Sequence, residues 1–410
     1  MREAESVARS ISADRIRPPT VSEKTVAHLI VEPHNAQEIA ELVRACETDR
    51  VTLTPIGAAR TLSQIRRTPV QLGISLRRMT RILAYEPEDM TVVAETGLTV
   101  GALNATLAAR GQQLPVDPRN PEATTLGSLI GAAHAGPIRL SEGTVRDLLI
   151  GIQFVGHGGR LIRAGGRVVK NVAGYDLMKV MTGSFGTLGI VTEAVFKVRP
   201  VPENYTIAKA GFADLDAAFA AAKALHDKLP LIHLEVLSRG VSVMAGHGDR
   251  FVVLAGFAGI QSELNHQRDL IAQLLGGSTE MLDSDGAHDL YVALRDFDFG
   301  GSNIIARMAV LPAELARCLC ESSADFIAHV GSGIAEMWTP PADANLIDRW
   351  RDIAHSARGH LRVLSAPSPI RSQIEFFDRP NPDALKLMQR LKSTFDPANI
   401  FNPGCFVGGL

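Results

Sequence analysis

Cysteine is scarce in this 410-residue sequence, which has four, at Cys46, Cys318, Cys320 and Cys405. None belongs to a Cys-x-x-Cys pair, and Cys318 and Cys320 would face different ways on a helix. An iron–sulfur cluster usually takes four thiolates from clustered positions, so we expect none in this chain. A disulfide framework is equally unexpected, which suits a reducing cytoplasm.

Long apolar runs and a strong net charge are also missing. No run approaches the roughly 18 apolar residues needed to span a bilayer. The first 20 residues are charged throughout and lack the apolar core of a signal peptide. A net charge of −2 gives no reason to expect nucleic acid as the main partner. We therefore expect a cytoplasmic protein that would reach the inner membrane only peripherally, through partner chains.

Metal-ligand spacing is absent as well. The triplet His247-Gly248-Asp249 is more typical of a turn than of a metal site. His355 and His360 stand five residues apart, so they do not share one helix face. We predict no metal site.

The chain is long enough for two to three domains. Pro200 and Pro202 separate a glycine-rich half from a half with longer helices. Strands and helices alternate in the second half, which predicts an α+β domain with an antiparallel sheet. The predicted segments are a poorly ordered or loosely packed lead-in at 1–20, a first domain at 21–200, a second domain at 201–380 and a C-terminal segment at 381–410.

The stretch from Val168 to Glu193 is the most informative. A short helix capped by Asp176 is followed by Gly183, Gly186 and Gly189 and then by a strand from Ile190. The order helix, glycines, strand excludes a dinucleotide-binding Rossmann unit, which needs the reverse order. Glycines without side chains let several backbone N–H groups approach one oxygen-rich ligand. The alternative interpretation is a set of tight turns.

Two further segments have the same small-residue character. Thr124 or Thr125 can cap a helix with a small first turn, and free N–H groups at a helix start suit a diphosphate. A small-residue helix packed closely on a neighbour is the alternative interpretation. The other segment, the first loop, comprises Pro55–Thr61 and follows a predicted strand.

The segment Lys170-Asn171-Val172-Ala173-Gly174-Tyr175-Asp176 and the glycines after it closely resemble the signature of vanillyl-alcohol oxidase / p-cresol methylhydroxylase (PCMH)-type flavoproteins. The sequence of this segment is most similar to those of FAD-binding subunits of bacterial glycolate oxidases. The resemblance implies an α+β fold, in which a PCMH-type FAD-binding domain of two α+β subdomains is joined to an α+β cap domain with an antiparallel sheet. It also implies that the C-terminal segment returns to the FAD domain.

The resemblance further implies a noncovalent FAD, because no histidine lies in the first loop. Ala58 and Ala59 stand where this family usually has glycine, and Arg60 stands where a small hydroxyl residue is usual. Either Arg60 compensates by pairing with phosphate, or the loop has lost its hold on the cofactor. The implied cofactor-binding residues are Ile56, Gly57, Ala58, Ala59, Arg60, Thr61, Pro118, Thr125, Leu126, Gly127, Ser128, Gly131, Gly186, Gly189 and Ile190.

The chemistry implied by the resemblance is hydride transfer from a small 2-hydroxy acid. Arg295 is the predicted cation for its carboxylate, and an ion pair with Asp296 or Asp298 is the alternative. No catalytic base is assigned. The implied partners are a catalytic flavin subunit and an iron–sulfur subunit of a glycolate-oxidase-like complex. A self-contained 2-hydroxy acid dehydrogenase and a non-catalytic assembly subunit with a degenerate flavin site are the two alternatives.

Overall fold

The computed structural model describes residues 2–9, 11–65, 68–166, 175–276, 279–340, 345–371 and 373–410. The chain forms two compact units. Unit 1 comprises Met1–Ala135, Thr144–Val201 and Arg379–Leu410, and unit 2 comprises Gly136–Gly143 and Pro202–Asp378. Residues 136–143, which the sequence had grouped with the first domain, therefore belong to unit 2.

The helices and strands follow one another along both units. The helices in chain order are α1 (Arg2–Ala8), α2 (Ala36–Thr48), α3 (Arg60–Ile65), α4 (Val100–Ala108), α5 (Leu126–Ala132), α6 (Arg139–Glu142), α7 (Val145–Leu148), α8 (Leu177–Met181), α9 (Leu215–Lys228), α10 (Gln261–Leu275), α11 (Ser284–Arg295), α12 (Leu315–Ser322), α13 (Asn345–Ser356), α14 (Ser368–Arg371) and α15 (Pro382–Phe395). The strands in chain order are β1 (Ile16–Arg17), β2 (Ala27–Val31), β3 (Leu53–Ile56), β4 (Val70–Ser75), β5 (Ile82–Glu86), β6 (Thr91–Glu95), β7 (Gln112–Gln113), β8 (Leu149–Gly156), β9 (Arg160–Gly165), β10 (Ile190–Lys197), β11 (Arg199–Pro200), β12 (Asn204–Phe212), β13 (His233–Leu237), β14 (Phe251–Gly259), β15 (Glu280–Leu282), β16 (Ile304–Ala309), β17 (Asp325–His329), β18 (Ile334–Thr339) and β19 (His360–Ser365).

The first sheet of unit 1 has the strand order β1-β2-β4-β3, in which β2, β4 and β3 run parallel. Helix α2 covers one face of it, and its apolar stripe of Ile39, Leu42 and Val43 is fully buried. Asn35 caps this helix by accepting the Glu38 N–H at 3.0 Å, as the sequence predicts. This packing fixes β3, the strand that leads into the loop before α3.

The prediction of a loosely packed lead-in at residues 1–20 is wrong. Ala4, Val7 and Ala8 of α1 are buried in the same core as α2. Their spacing of three and four residues is that of a helix face, so they can pack against the first sheet. Ile16 and Arg17 then pair with β2 as an antiparallel edge strand. The N-terminal segment is thus part of unit 1.

The second sheet of unit 1 is antiparallel and has the order β5-β6-β10-β8-β9. Phe154 and Phe196 are fully buried on the face covered by α4 and α5. Strand β10 alternates buried and half-buried residues from Ile190 to Lys197, as predicted from its period-two pattern. This sheet therefore anchors the chain immediately after Gly189.

Unit 2 is built on one eight-stranded antiparallel sheet with the order β15-β12-β14-β13-β17-β18-β16-β19. Helix α11 packs on one face, where Leu290 and Leu294 join a buried cluster with Leu237, Leu254 and Trp338. The sequence predicted such an antiparallel cap sheet.

The sequence pattern predicts a helix from Pro312 to about Ile327 and a strand at residues 374–377, and both predictions are wrong. The helix after Pro312 ends at Ser322, and the chain turns at Ser323 (φ 54°) into β17. Pairing with β13 on one side and β18 on the other outweighs the local helical pattern. The predicted strand at residues 374–377 is not regular, although Phe376 accepts one backbone hydrogen bond from Val363 at 2.8 Å.

Candidate functional site

A crevice that is open to solvent lies within unit 1. Three segments form its walls: the loop before α3, the start of α5 and the glycine loop 183–189. The lining residues are Pro55, Ile56, Gly57, Ala59, Arg60, Thr61, Leu62, Leu76, Thr125, Gly127, Ser128, Gly131, Ala132, Ser184, Phe185, Gly186, Gly189 and Val191.

The first loop and helix α5 are closely fitted to each other. A Cβ atom on Gly57 would lie 2.4 Å from the Thr125 Oγ1 atom, so only glycine fits there. The Thr61 hydroxyl lies 3.1 Å from Nε2 of His134, just beyond the end of α5. Sequence reasoning had selected Gly57, Thr61 and Thr125 separately, and the structure brings them together on one wall.

The glycine loop closes the opposite wall. Its Phe185 N–H donates to the Gly131 carbonyl at 2.8 Å, which ties the loop to α5. Gly186 has φ 69°, and a Cβ there would lie 2.5 Å from the Pro55 side chain. A glycine is required at this position both by its left-handed backbone and by the close approach of β3.

Backbone N–H groups are available along the first loop. Among the residues that the structure describes, no acceptor is found for the N–H groups of Gly57, Ala58 and Ala59. Successive free N–H groups in a turn make an anion-binding concavity. The loop can therefore bind an oxygen-rich group such as a diphosphate.

Helix α5 differs from the prediction in one respect. The sequence suggested free N–H groups at its start, but the Leu126 and Gly127 N–H groups donate to the Leu98 and Thr96 carbonyls, both at 2.8 Å. The Ser128 N–H donates to the Thr125 hydroxyl at 3.2 Å. Because these donors are already used inside the protein, the helix start contributes its small surface rather than free N–H groups.

Ala59 and Arg60 both line the crevice. Ala59 adopts φ 58° and its methyl group is buried beside Ile30, Ile56 and Val70. The left-handed backbone costs about 1 kcal/mol, and burial of a methyl group offsets about 0.8 kcal/mol of that. The Arg60 side chain is exposed, and it has no carboxylate partner among the described residues. A cation at the rim beside free N–H groups fits a diphosphate.

Four predicted cofactor-binding residues lie off the crevice wall. The Leu126 and Ile190 side chains are fully buried in the apolar cores beneath the two sheets. Both begin regular elements whose apolar face points away from the crevice. Pro118 is buried in the loop before α5, and Ala58 lies between wall residues and offers only its N–H group.

The signature segment itself lies partly outside the described residues. Lys170 to Gly174 belong to the stretch 167–174, which the structure does not describe. After it, Asp176 caps α8 by accepting the Lys179 N–H at 3.3 Å, as predicted.

Sequence reasoning missed a buried polar network in unit 2. The Tyr205 hydroxyl lies 2.5 Å from Nε2 of His233, the Nδ1 atom of His233 pairs with Glu235, and Glu235 lies 3.2 Å from Nδ1 of His329. His233 and Glu235 are fully buried. A Cβ on Gly256 of the intervening strand would lie 2.0 Å from His233, so this glycine makes room for the ring.

Glu235 is the carboxyl group of this network and contacts both of its histidines. Burial alone would raise the pKa of this carboxyl, but the neighbouring His233 and His329 outweigh that and hold its pKa below the ordinary value. The signal in the sequence was the period of two, since His233 and Glu235 alternate along one strand and share a face.

Arg295, the predicted carboxylate-binding residue, ends α11. Its guanidinium binds both oxygens of Asp296, at 3.1 and 2.6 Å, which is the alternative that the sequence left open. A substrate carboxylate would have to displace Asp296. Tyr291, one turn earlier on α11, has its ring centre 5.5 Å from that of His233. The substrate-binding role of Arg295 stays a prediction.

The remaining candidate histidines are separate from one another. Burial lowers the pKa of His247, while Asp249 beside it is exposed and approaches Arg239 at 4.0 Å. His355 pairs with Asp378 at 2.9 Å. The part of the chain that the structure describes contains no cluster of three or more His, Cys, Asp or Glu residues able to hold a metal ion.

Among the described residues, no helix has both the length and the apolar character needed to cross a membrane.

Comparisons with known families match both ends of this architecture. Residues 27–165 match the family described as "FAD binding domain". Residues 373–405 match the family described as "FAD linked oxidases, C-terminal domain". The first match contains the first loop and α5, and the second covers most of the C-terminal segment of unit 1.

Three relatives show how far the similarity extends. The glycolate oxidase subunit GlcD of Bacillus subtilis is 34% identical over 46% of this chain, which spans only 40% of that protein's length. The glycolate oxidase subunit GlcE of Escherichia coli is 27% identical over 90% of this chain and 96% of its own length. The mitochondrial D-lactate dehydrogenase [cytochrome] of Arabidopsis thaliana is 24% identical over 92% of this chain and 73% of its own length.

A solved structure of p-cresol methylhydroxylase with bound substrate superposes with a TM-score of 0.71 over 98% of this chain and 95% of that chain. At 15% identity the likeness concerns the fold alone. It confirms the predicted α+β fold of the PCMH type, and the family matches confirm FAD as the cofactor. The chain thus carries an FAD binding domain at residues 27–165 on a PCMH-type fold, and it is similar to FAD-linked oxidoreductases over 92% of its length.

Proposed function

We propose that this protein is the FAD-binding subunit of a glycolate-oxidase-like complex that oxidises a small 2-hydroxy acid to a 2-oxo acid. Electrons would pass to a catalytic flavin subunit and an iron–sulfur subunit. The complex would be cytoplasmic, with any membrane attachment made by its partners. The observation that carries the proposal is the open crevice of unit 1, with free N–H groups at Gly57, Ala58 and Ala59.

The extent of similarity supports the role of a subunit. The chain matches glycolate oxidase subunit GlcE along 96% of that protein's length, whereas it matches subunit GlcD along 40%. The exposed Arg60 and the free N–H groups of the first loop would hold the diphosphate noncovalently. When bound, FAD supplies a hydride acceptor. The wall residues of unit 1 would hold it in a fixed orientation, and Arg295 would orient a carboxylate in unit 2.

The two alternatives remain distinct from the proposal. A self-contained 2-hydroxy acid dehydrogenase is favoured by the similarity to D-lactate dehydrogenase over 92% of this chain. A non-catalytic assembly subunit is favoured by alanines and an arginine in a loop that usually carries glycines.

One experiment separates the three roles. The purified chain would be examined by visible spectroscopy and then assayed with glycolate and with D-lactate, using a dye as the electron acceptor, alone and after addition of the two partner subunits. We expect flavin absorbance in the chain alone and substrate-dependent dye reduction only in the complex. Turnover by the chain alone would support the dehydrogenase, and absence of flavin would support the assembly role.

The role of Arg60 leads to a separate prediction. Arg60→Ala should raise the Kd for FAD about 10-fold at low salt, since a charge-assisted contact to phosphate is lost. The difference should shrink as salt is added, because an exposed charge is screened. Arg60→Lys is the matched control, because it keeps the charge but loses the planar guanidinium with its paired N–H donors. Its Kd for FAD should lie between those of wild type and Arg60→Ala. Flavin fluorescence titration measures all three, and equal affinity of Arg60→Ala and wild type at low salt would refute this role.

A further inference from the structure

The C-terminal segment of unit 1 contains a lysine that the cofactor site does not use. Lys392 on α15 is 6% exposed. Its ammonium donates to the Thr187 carbonyl at 2.8 Å, to the Phe401 carbonyl at 2.8 Å and to Asp396 at 2.6 Å. An ammonium has three donors, so every one is satisfied. Burial lowers the pKa of Lys392, and the Asp396 carboxylate opposes that shift.

Asp396 completes a closed network. Its carboxylate is fully buried and accepts the Ile400 N–H at 3.0 Å and the Phe401 N–H at 2.9 Å in addition to the lysine. The ion pair therefore fixes the backbone of residues 400–402. Such a buried pair is retained only when its remaining hydrogen bonds are made, and here they are made to main-chain groups.

The fixed backbone holds both loops of the crevice. Leu53, which starts β3, donates to the Ile400 carbonyl at 2.8 Å, and the Asn402 N–H donates to the Leu53 carbonyl at 2.7 Å. The Asn402 side chain donates to the Phe185 carbonyl at 2.5 Å. One side of this short segment thus supports the strand leading to Gly57, and the other supports the glycine loop 183–189.

The glycine loop needs such support. Phe185 is not a glycine, yet it has φ 54°. Strained backbone conformations persist only where the surroundings determine them. The Phe185 N–H is held by Gly131, its carbonyl by Asn402, and its ring lies 6.1 Å from that of Phe406. Two of these three contacts come from the C-terminal segment.

We propose that Lys392, Asp396 and Asn402 are positioning residues that hold the glycine loop and β3 in the conformation that binds FAD. The inference rests on the proposed FAD binding. Without the network the loop would sample other conformations, and the apparent affinity falls by the fraction of molecules that remain competent. None of the three side chains lines the crevice, so their effect on FAD would be indirect.

The test uses two variants and a matched control on the same helix. Lys392→Met alone leaves Asp396 buried without its partner and could prevent folding. The double variant Lys392→Met with Asp396→Asn removes both charges and keeps one oxygen acceptor, for either the Ile400 or the Phe401 N–H group. Lys386→Met is the control, because Lys386 is 69% exposed and pairs with Asp383 on the surface.

Three measurements are made on the full chain: the FAD Kd by fluorescence titration, urea unfolding of the apoprotein, and hydrogen exchange of the peptide that spans residues 183–191. We expect the double variant to fold, to exchange this peptide faster and to raise the FAD Kd about 10- to 100-fold. The Lys386→Met control should match wild type in all three.

The outcomes distinguish this inference from the proposed function. If wild-type protein binds no FAD, the proposed function itself fails. If wild type binds FAD and the folded double variant binds it with equal affinity, the positioning role is wrong and the network serves stability only. Unchanged hydrogen exchange at residues 183–191 in a weakened variant would also overturn it, because the loop would then not have moved.

Discussion

Gly131→Phe should abolish FAD binding while leaving the fold intact. A Cβ at Gly131 would meet no atom within 4 Å, although the residue lines the crevice. A benzyl group can therefore grow into space that the cofactor needs. We expect the Kd for FAD to rise by at least about 100-fold, equivalent to roughly 2.7 kcal/mol of binding free energy. Flavin fluorescence titration of the apoprotein measures this change.

The control for this prediction is Gly131→Ala. A methyl group takes little of the crevice, and alanine is about 1 kcal/mol more favourable than glycine within a helix. We expect this variant to bind FAD like wild type and to unfold at slightly higher urea. Gly127 is a less suitable position, because its Cβ would lie 3.2 Å from the Thr96 carbonyl and so disturb the protein itself. Retention of wild-type affinity by Gly131→Phe would mean that the cofactor does not occupy this crevice.

Glu235→Gln should destabilise the protein by about 2–5 kcal/mol, the range for removing one partner from a buried charged network. In wild type, each oxygen of the fully buried Glu235 carboxylate faces the Nδ1 atom of a histidine. The glutamine amide has one oxygen, so its NH2 group would face one of these two histidines. Urea unfolding at neutral pH measures the loss. The matched control is Glu280→Gln, since Glu280 is 56% exposed in the same unit and its pair with Lys209 should contribute less than about 1 kcal/mol.

The same variant should change the pH dependence of stability. The pKa of Glu235 is lowered in the folded protein, so its contribution is complete above the unfolded-state pKa of about 4.3 and is lost as pH falls below it. Wild type should therefore lose stability more steeply than Glu235→Gln below about pH 4.5. If the unfolding free energies of the two proteins fall equally steeply below about pH 4.5, Glu235 does not carry this charge.

Local patterns in the sequence were sufficient to select small residues that the structure brings together in one crevice. Gly57, Gly127, Gly131 and Gly186 all line it, and at Gly57 and Gly186 a side chain would collide with Thr125 and Pro55. The cap of α2 at Asn35 and the alternation of β10 likewise depend on neighbouring residues. Such features are encoded within a few positions of one another.

Features that depend on distant contacts were not predictable. The N–H groups that start α5 are satisfied by Thr96 and Leu98, about thirty positions earlier, which no local pattern reveals. The burial of Lys392 depends on the Thr187 carbonyl, 205 positions earlier in the chain. Strand β17 forms within a helical sequence pattern because β13 and β18 both pair with it. In each case at least one partner lies far away in sequence.

The most direct test of the account is equilibrium binding of FAD to the apoprotein, followed by fluorescence quenching with wild type and Gly131→Phe side by side. The account predicts saturable binding of one FAD per wild-type chain and no binding by Gly131→Phe at the same concentrations. A wild-type chain that leaves FAD fluorescence unchanged would contradict the claim that the backbone of the first loop and the glycine loop hold a flavin dinucleotide.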